Sequence, residues 1–275
     1  MRHRFGVLLL VGAVGLSLGL ALPAVEAKPL KCSADMMPVG TTCVDTYEAS
    51  VWMIPPANTS LIKKVKQGKV TEANLLAGGA TQVSPSPSCS PAFPGTFPNT
   101  GNWTAPLYAA SIPGVPPTAC VSWFQAEQAC RPSGKRLLAN EEWQAAAAGT
   151  VDPGSNDGLA NAMCNTSAAG PRATGNAGAT PGGADSCISN WGVQDMVGNV
   201  WERVGDWVPP ASGSGGSALF SGDFNCLAGD TQAAGTGALI RGGNFNNGTN
   251  AGAFAVNGNN TPSNANNNIG FRAAH

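Results

Sequence analysis

The chain has 275 residues, of which 43% are hydrophobic and only 11% are charged, and it contains 36 glycines and 21 prolines. This composition excludes a coiled coil or a helix bundle, which would be rich in Glu, Lys and Arg. The formal net charge is −1 and no long basic run occurs, so we expect no nucleic-acid partner.

Residues 1–27 have the pattern of a signal peptide. Arg2 and Arg4 are basic, and the segment from Phe5 to Leu22 is predominantly apolar. Val25 and Ala27 supply small residues at the −3 and −1 positions of a cut after Ala27. We predict a secreted or periplasmic protein, with residues 28–275 as a single domain and no stable membrane anchor after cleavage. The alternative is an uncleaved anchor, since the apolar run approaches the ~20 residues that span a bilayer.

The first half of the remaining chain has weak secondary-structure signals. The segment from Cys43 to Trp52 contains β-branched and aromatic residues and predicts a strand. Ser60 and Thr71 are predicted to cap two short helices, over residues 61–67 and 72–77. The stretch 84–117 is rich in Pro, Ser, Asn and Gly and predicts loop structure.

The second half has clearer helix signals. Ser122 and Gln125 form a capping box that predicts a helix through Cys130. Another helix is predicted at about 140–148, with Glu141 and Glu142 near its positive N-terminal end. From residue 150 onward we expect only short segments separated by Gly and Asn, so the chain reads as an irregular, loop-rich α+β fold.

The chain contains eight cysteines and two histidines, and these numbers limit which disulfides, metal sites and catalytic sites it can form. All eight cysteines follow residue 27, and an even number in an exported chain predicts up to four disulfides. The short separations favour the pairs Cys32–Cys43 and Cys164–Cys187. Because the two histidines lie at the ends of the chain, no Ser-His-Asp triad, HExxH zinc site or two-histidine iron site can be built.

Several motifs occur in a fixed order over about 44–52 and 119–272. They are Val44-Asp-Thr-Tyr-Glu48, Val121-Ser-Trp-Phe-Gln-Ala126, Gly134-Lys-Arg-Leu137, Glu142-Trp143, Asp195-Met-Val-Gly-Asn-Val-Trp-Glu202, Arg241-Gly-Gly-Asn-Phe245 and Asn268-Ile-Gly-Phe-Arg272. In these motifs the chain resembles the formylglycine-generating enzyme (sulfatase-modifying factor) family. The resemblance implies a variant of the C-type lectin fold, in which the loop-rich segment at about 55–118 would be an insertion.

The segment Asp195–Glu202 suggests a calcium site. Its two terminal carboxylates lie seven residues apart, and Gly198 and Asn199 let the backbone turn so that carbonyl groups can point inward. Such oxygen ligands suit calcium. The resemblance implies the same ion, held by the side chains of Asp195 and Glu202 and by the main-chain oxygens of Gly198 and Val200. The alternative is that the carboxylates only accept hydrogen bonds from loop N–H groups.

The resemblance also suggests a second calcium site near Asn165 and Thr166. The other ligands of this site are not recognisable in the sequence. The resemblance also implies disulfide cysteines that are missing here: the position after Arg272 is Ala273, and the expected helix cysteine is Ala147. Cys130 has therefore lost its family partner and must pair elsewhere or remain a thiol.

The catalytic pair of the family is absent. Its oxidases bind copper(I) through two cysteines five residues apart, and soft thiolates are the ligands that copper(I) prefers. The aligned positions are Asn247 and Gly252, and no cysteine follows Cys226. We therefore expect no copper cofactor, assign no catalytic residue, and do not expect an active formylglycine-generating oxidase.

The segment from Asn244 to Asn268 is dense in Asn and Gly. It contains Asn247 and Gly252, which stand where the family has its two cysteines. One interpretation is the floor of a retained polar groove, because each amide offers donors and acceptors. The other is a set of tight turns. We predict a non-catalytic binding or scaffold protein, stabilised by calcium, with a peptide or carbohydrate ligand. The alternative is a metal-dependent oxidoreductase that acts on a protein or small molecule by another chemistry.

Overall fold

The computed structural model describes residues 30–275 except 102, 104–105, 152–163, 177–185, 211–221, 228 and 230–234. The predicted signal peptide therefore lies outside the described residues. Within the described part of the chain, no helix is long and apolar enough to cross a membrane.

The described elements are short. The helices are α1 (Thr59–Lys66), α2 (Glu72–Ala77), α3 (Trp123–Cys130) and α4 (Asn140–Ala146). The strands are β1 (Met36–Val39), β2 (Thr42–Asp45), β3 (Ser50–Met53), β4 (Thr81–Val83), β5 (Tyr108–Ala110), β6 (Arg136–Leu137), β7 (Trp201–Val208), β8 (Asn225–Cys226), β9 (Gly237–Arg241), β10 (Val256–Asn257), β11 (Ile269–Phe271) and β12 (Ala273–Ala274).

The strands form three sheets, with orders β1-β2-β12-β6, β11-β7-β9-β10-β8 and β4-β3-β5. In the five-stranded sheet, β11 runs parallel to β7, and Gly270 lies opposite Glu202. The last strand, β12, lies between β2 and β6, so residues far apart in sequence complete the four-stranded sheet. The predicted irregular α+β class is confirmed.

The core is divided among these sheets. Trp143 of α4 packs in one apolar cluster with residues of β2, β7 and β9, which fixes the helix beside the five-stranded sheet. A second cluster joins α3 to β3, β5 and β11. The helices α1 and α2 pack with β3 and β5 in a third cluster.

One charged group is enclosed within the four-stranded sheet region. Lys135 is buried, and its Nζ lies 2.5 Å from Asp35 Oδ2 and 2.5 Å from Asp45 Oδ1. Burial raises the pKa of Asp45 to about 6, although the Lys135 ammonium opposes this shift. This ion pair ties the N-terminal strands to the turn before β6.

The local signals were mostly correct. Thr71 caps α2, and Ser122 and Gln125 form the capping box of α3. Three predictions fail, and the third concerns Cys43 to Trp52. The helix α1 is capped by Asn58 rather than Ser60, whose hydroxyl itself donates to Asn58 Oδ1. The stretch 84–117 is not entirely loop, because Tyr108–Ala110 pairs with β3 as strand β5.

The region from Cys43 to Trp52 forms two strands instead of one. The strand β2 ends at Asp45 and β3 begins at Ser50, and the two belong to different sheets. The break between them allows the side chain of Glu48 to turn into the protein interior, where it is fully buried. This is a long-range effect that the local pattern does not encode.

Three disulfides are present among the described residues. Cys32–Cys43 and Cys164–Cys187 are the two pairs expected from their spacing, and Cys89–Cys120 is the third. Cys130 and Cys226 are buried and do not belong to these bonds.

Candidate functional site

The segment Asp195–Glu202 forms a tight loop that leads into β7. Asp195, Gly198 and Asn199 have φ values of 58°, 80° and 60°. A positive φ is unusual for residues other than glycine and needs support from the surroundings. Main-chain hydrogen bonds supply part of it, since Asn199 N–H donates to Asn165 O at 2.8 Å and Gly198 N–H to Gly242 O at 3.1 Å.

Glu202 is buried and surrounded by N–H donors. Trp143 Nε1–H donates to Glu202 Oε2 at 2.7 Å. The Arg272 guanidinium donates from Nε to both carboxylate oxygens at 3.1 Å, and from its second nitrogen to Oε1 at 2.7 Å. The strand pairing of β7 with β11 brings these two residues together. Glu202 is therefore engaged in a bidentate buried ion pair.

Asp195 is also buried, but only one of its two carboxylate oxygens accepts hydrogen bonds from the described residues. Its Oδ1 accepts hydrogen bonds from the Arg172 guanidinium. Its Oδ2 is buried and has no hydrogen-bond partner in the part of the chain that the structure describes. Burial raises the pKa of Asp195, and the positive charge of Arg172 opposes the rise.

Glu48 is a third carboxylate in this region. The Val200 N–H donates to Glu48 Oε1 at 3.1 Å, and the Asn199 side-chain amide donates to Oε2. Burial raises the pKa of Glu48 well above its usual value, and the charges of Asp195 and Glu202 add to the rise. Three buried carboxylates thus face two arginines, Arg172 and Arg272.

The residues of the suggested second calcium site lie against this loop. Asn165 O accepts the Asn199 N–H, and the Asn165 side-chain amide donates to Asn199 Oδ1 at 2.9 Å. Thr166 is fully buried, and its carbonyl oxygen accepts the Gly248 N–H. No described residue forms a hydrogen bond with its hydroxyl. A side chain on Gly198 would meet Asn165 O at 2.5 Å, so the two segments are in close contact.

These contacts test how well the residues fit calcium. The unpartnered Oδ2 of Asp195 fits a hard cation, which takes oxygen ligands. Glu202 fits less well, because Arg272 and Trp143 already donate to both of its oxygens. Among the described residues, no group of three or more His, Cys, Asp and Glu side chains is arranged to hold a metal ion. The calcium sites stay predictions, with the arginines as competing counter-ions.

The asparagines at the position of the missing copper site build turns. Asn244 is buried, and its Oδ1 accepts the Asn246 N–H at 2.9 Å. Asn247 Oδ1 accepts the Asn244 N–H at 2.9 Å, and Asn247 N–H donates to Asn244 O at 3.2 Å. Side-chain bonds of this kind stabilise tight turns. At these two residues the geometry favours the turn interpretation of the Asn-rich segment.

At Gly252, the other position where the family has a cysteine, the side chain of Asp223 lies close to the backbone. A Cβ atom built on Gly252 would lie 1.9 Å from Asp223 Oδ1 and 2.2 Å from its Cγ. Asp223 is fully buried, and its Oδ2 accepts the Phe254 N–H at 2.7 Å. A carboxylate therefore fills the space that a side chain at position 252 would need.

A cavity of about 690 Å³ lies near this position, between α4 and the strands β8, β9 and β10. Its wall is mostly apolar and includes the exposed side chains of Leu227 and Phe254. Arg241 lines the cavity, and its guanidinium stacks on Trp143 at 4.5 Å from the ring centre. The sequence pattern indicated neither the cavity nor its charge.

Several residues of this region were missed by sequence reasoning. Arg172 and Asp223 lie outside every motif, so no local signal identified them. Glu48, Arg241 and Arg272 are part of quoted motifs, but their roles depend on which distant residues the fold brings to them.

Comparison with known families gives one match, which covers most of the chain. Residues 63–275 match the family described as the sulfatase-modifying factor enzyme 1-like domain. The match begins inside the segment 55–118, whose status as an insertion stays a prediction. A comparison with curated protein sequences finds no match.

Solved structures also resemble the chain, at low sequence identity. The major tropism determinant I1 variant is 20% identical, with 88% of this chain and 52% of that chain covered and a TM-score of 0.46. Treponema denticola variable protein 1 is 16% identical, with coverage of 87% and 97% and a TM-score of 0.39. PvdO from Pseudomonas aeruginosa is 17% identical, with coverage of 85% and 93% and a TM-score of 0.38. The chain spans about half the length of the major tropism determinant.

Proposed function

Because the chain belongs to the family of sulfatase-modifying factor enzyme 1-like domains, we propose that it uses the family fold for recognition instead of oxidation. Membership also agrees with the predicted formylglycine-generating-enzyme-like variant of the C-type lectin fold. The ligand in this proposal is a peptide or a carbohydrate that is bound without being converted.

The observation that carries this proposal is the Asp223 carboxylate at Gly252. Copper(I) needs soft thiolate ligands, and the two family positions hold Asn247 and Gly252. The Asn247 side chain is used in a turn, and the space beside Gly252 is filled by Asp223. A buried carboxylate and an amide are poor ligands for copper(I), so the two-cysteine chemistry is not supported here.

The experiment that tests the proposal combines turnover and binding. The purified protein is incubated with a cysteine-containing sulfatase-type peptide in air, with and without copper, and the peptide is analysed by mass spectrometry. We expect no conversion of cysteine to formylglycine, while a family oxidase that carries the cysteine pair converts the peptide in parallel. Conversion by this chain would overturn the proposal. Peptide and glycan arrays then identify the class of ligand.

We also propose that the loop 195–202 binds calcium. Support comes from the unpartnered Asp195 Oδ2 and from the surplus of buried carboxylates over arginines described above. The side chains of Asp195 and Glu202 and the carbonyl groups of Gly198 and Val200 would hold the ion. Binding through Glu202 requires a partial displacement of Arg272.

Export from the cytoplasm is the third part of the proposal. Three disulfides support it, because such bonds are rare in the cytosol. The mature protein would begin at Lys28. Expression of the full chain in a secreting host, followed by mass measurement of the exported protein, tests this start. An exported product that retains residues 1–27 would contradict it.

A further inference from the structure

The cavity between α4 and the strands β8 to β10 has the size and lining of a small-molecule site. Its volume of about 690 Å³ lies within the ~300–1,000 Å³ typical of such sites. Ala145, Leu227, Phe254 and Val256 make most of the wall apolar. Leu227 and Phe254 are 64% and 44% exposed, so an apolar ligand could cover surface that now faces water.

Arg241 places a positive charge in this wall. The side chain is only 4% exposed, Nη1–H donates to Ala255 O at 3.0 Å, and Nη2–H donates to Gln144 Oε1. Among the described residues, none accepts a hydrogen bond from Arg241 Nε and none forms an ion pair with this guanidinium. A buried cation is normally paired, because the loss of hydration must be compensated.

The other charges around the cavity do not provide that pair. Glu141 lies at the rim, on the exposed face of α4. None of the ion pairs among the described residues joins Asp223 to Arg241. The charge of Asp223 raises the pKa of Arg241, but burial has the larger effect and lowers the pKa to about 10. The guanidinium therefore stays charged at neutral pH, inside a mostly apolar wall.

We infer that this cavity binds a small ligand with an apolar body and one carboxylate, which faces Arg241 while the body packs on Leu227 and Phe254. This inference goes beyond the proposed recognition function, because it adds a site for a small molecule to the proposed peptide or carbohydrate ligand. A charge-assisted hydrogen bond to a guanidinium is stronger than a neutral one. The charge of the ligand is therefore the property that the site selects.

Three probes of similar shape test the selection. Phenylpropionate, phenylpropanol and phenylpropylamine are titrated into the full protein, and binding is followed by calorimetry and by NMR shifts. We expect the carboxylate to bind about tenfold or more tightly than the alcohol. The amine should bind more weakly than the carboxylate. Glu141 at the rim would attract the amine. Comparison of the amine with the carboxylate therefore distinguishes binding at Arg241 from binding at Glu141.

Leu227→Asp is used to locate the site, because Arg241→Met would change more than the charge. Arg241→Met removes the charge, but it also alters the stack on Trp143 and the hydrogen bonds to Gln144 and Ala255. Leu227→Asp changes an exposed side chain and adds a negative charge to the cavity wall, so it should weaken phenylpropionate binding about tenfold without unfolding the protein. Leu76→Asp is the matched control, because Leu76 is also exposed, at 59%, and lies on the distant helix α2.

Each outcome decides the inference. Preference for phenylpropionate that is lost in Leu227→Asp and kept in Leu76→Asp supports it. Equal or tighter binding of the alcohol or the amine overturns it, as does unchanged carboxylate binding in Leu227→Asp, or no binding of any probe. These results leave the proposed recognition function standing, because that function fails only if the protein converts a cysteine peptide.

Discussion

At Gly252 there is no room for a side chain, because a Cβ atom would overlap with the carboxylate of Asp223. Its φ is not in the left-handed region, so a substitution there meets no backbone strain and acts only through contact with Asp223. We expect Gly252→Ala to lower the free energy of unfolding by about 1–3 kcal/mol, as overpacking does. Chemical denaturation measures this. Gly95→Ala is the control, because a Cβ on Gly95 would have no atom of the described residues within 4 Å.

A second variant identifies the source of this cost. In an Asp223→Ala background the Cβ at position 252 has room, so Gly252→Ala should cost less there, with a coupling of about 1 kcal/mol or more between the two changes. Strict additivity would mean that Asp223 does not occupy the space beside Gly252.

Lys135 provides a pH-dependent prediction. Lys135→Met leaves Asp45 buried without its closest cation, which should cost about 3–5 kcal/mol of unfolding free energy at neutral pH. The folded pKa of Asp45, about 6, lies above its unfolded value of 3.8. The folded state therefore binds the extra proton, and stability rises as the pH falls through the folded pKa. Acidification should partly restore the variant.

Denaturation curves on both sides of the Asp45 pKa check this rescue. Lys63→Met, a change of the same kind on the exposed face of α1, should have little effect at either pH. A Lys135→Met deficit that does not shrink on acidification would show that lost packing, and not the unpaired carboxylate, causes it.

The contacts of single residues were harder to predict from the sequence than the helices and strands. The carboxylates Asp195 and Glu202 were recognised because they lie in one octapeptide, and both are buried in the same loop region. Their partners Arg172 and Arg272 lie 23 and 70 residues away. No periodicity or motif links positions so distant, so the ion pairs could be found only in the folded structure.

The calcium ion proposed for the loop 195–202 gives a stability prediction at the scale of one element. If calcium binds only the folded state, a hundredfold excess over Kd stabilises by about 2.7 kcal/mol. At roughly 2–4 °C per kcal/mol for a chain of this size, chelation should lower Tm by on the order of 5–10 °C. Calcium should restore the Tm, and magnesium should do so poorly, since it demands a tighter octahedral shell.

Variants separate the ion from the arginines. Asp195→Ala should have a lower Tm that no longer responds to calcium, whereas Glu72→Ala, at the exposed start of α2, should keep the response. If metal-free protein, verified by elemental analysis, melts like the untreated protein, then Arg172 and Arg272 alone neutralise the loop. That result would remove calcium from the proposed function.

Elements with local signals were predicted well. Thr71 and Ser122 each accept a hydrogen bond from the first turn of their own helix, so three or four consecutive residues contain the information. At α1 two capping residues, Asn58 and Ser60, stand close together, and the pattern could not choose between them. Strand β5 exists because β3 pairs with it, which no property of residues 108–110 alone indicates.

At the scale of the whole molecule, the disulfides give the most direct test. Thiol titration of denatured, unreduced protein should find two thiols out of eight, from Cys130 and Cys226. In the native protein both should react slowly, because both are buried and burial raises the pKa of the Cys130 thiol well above its usual value.

Cys130→Ser is the matched variant for this titration. It should lose one thiol in denaturant and leave the native result unchanged. Six or more thiols in the denatured wild-type protein would contradict the three disulfides and weaken the argument for export.

The position of β12 has a consequence for the order in which the chain can fold during synthesis. Ala273 and Ala274 fill the gap between β2 and β6, and His275 exchanges main-chain hydrogen bonds with Cys43. The four-stranded sheet therefore cannot close while the ribosome still holds residues 269–275. Pairings this remote in sequence also form slowly. This sheet remains open in a nascent chain until the segment has been translated, and an open sheet is compatible with translocation through a narrow channel.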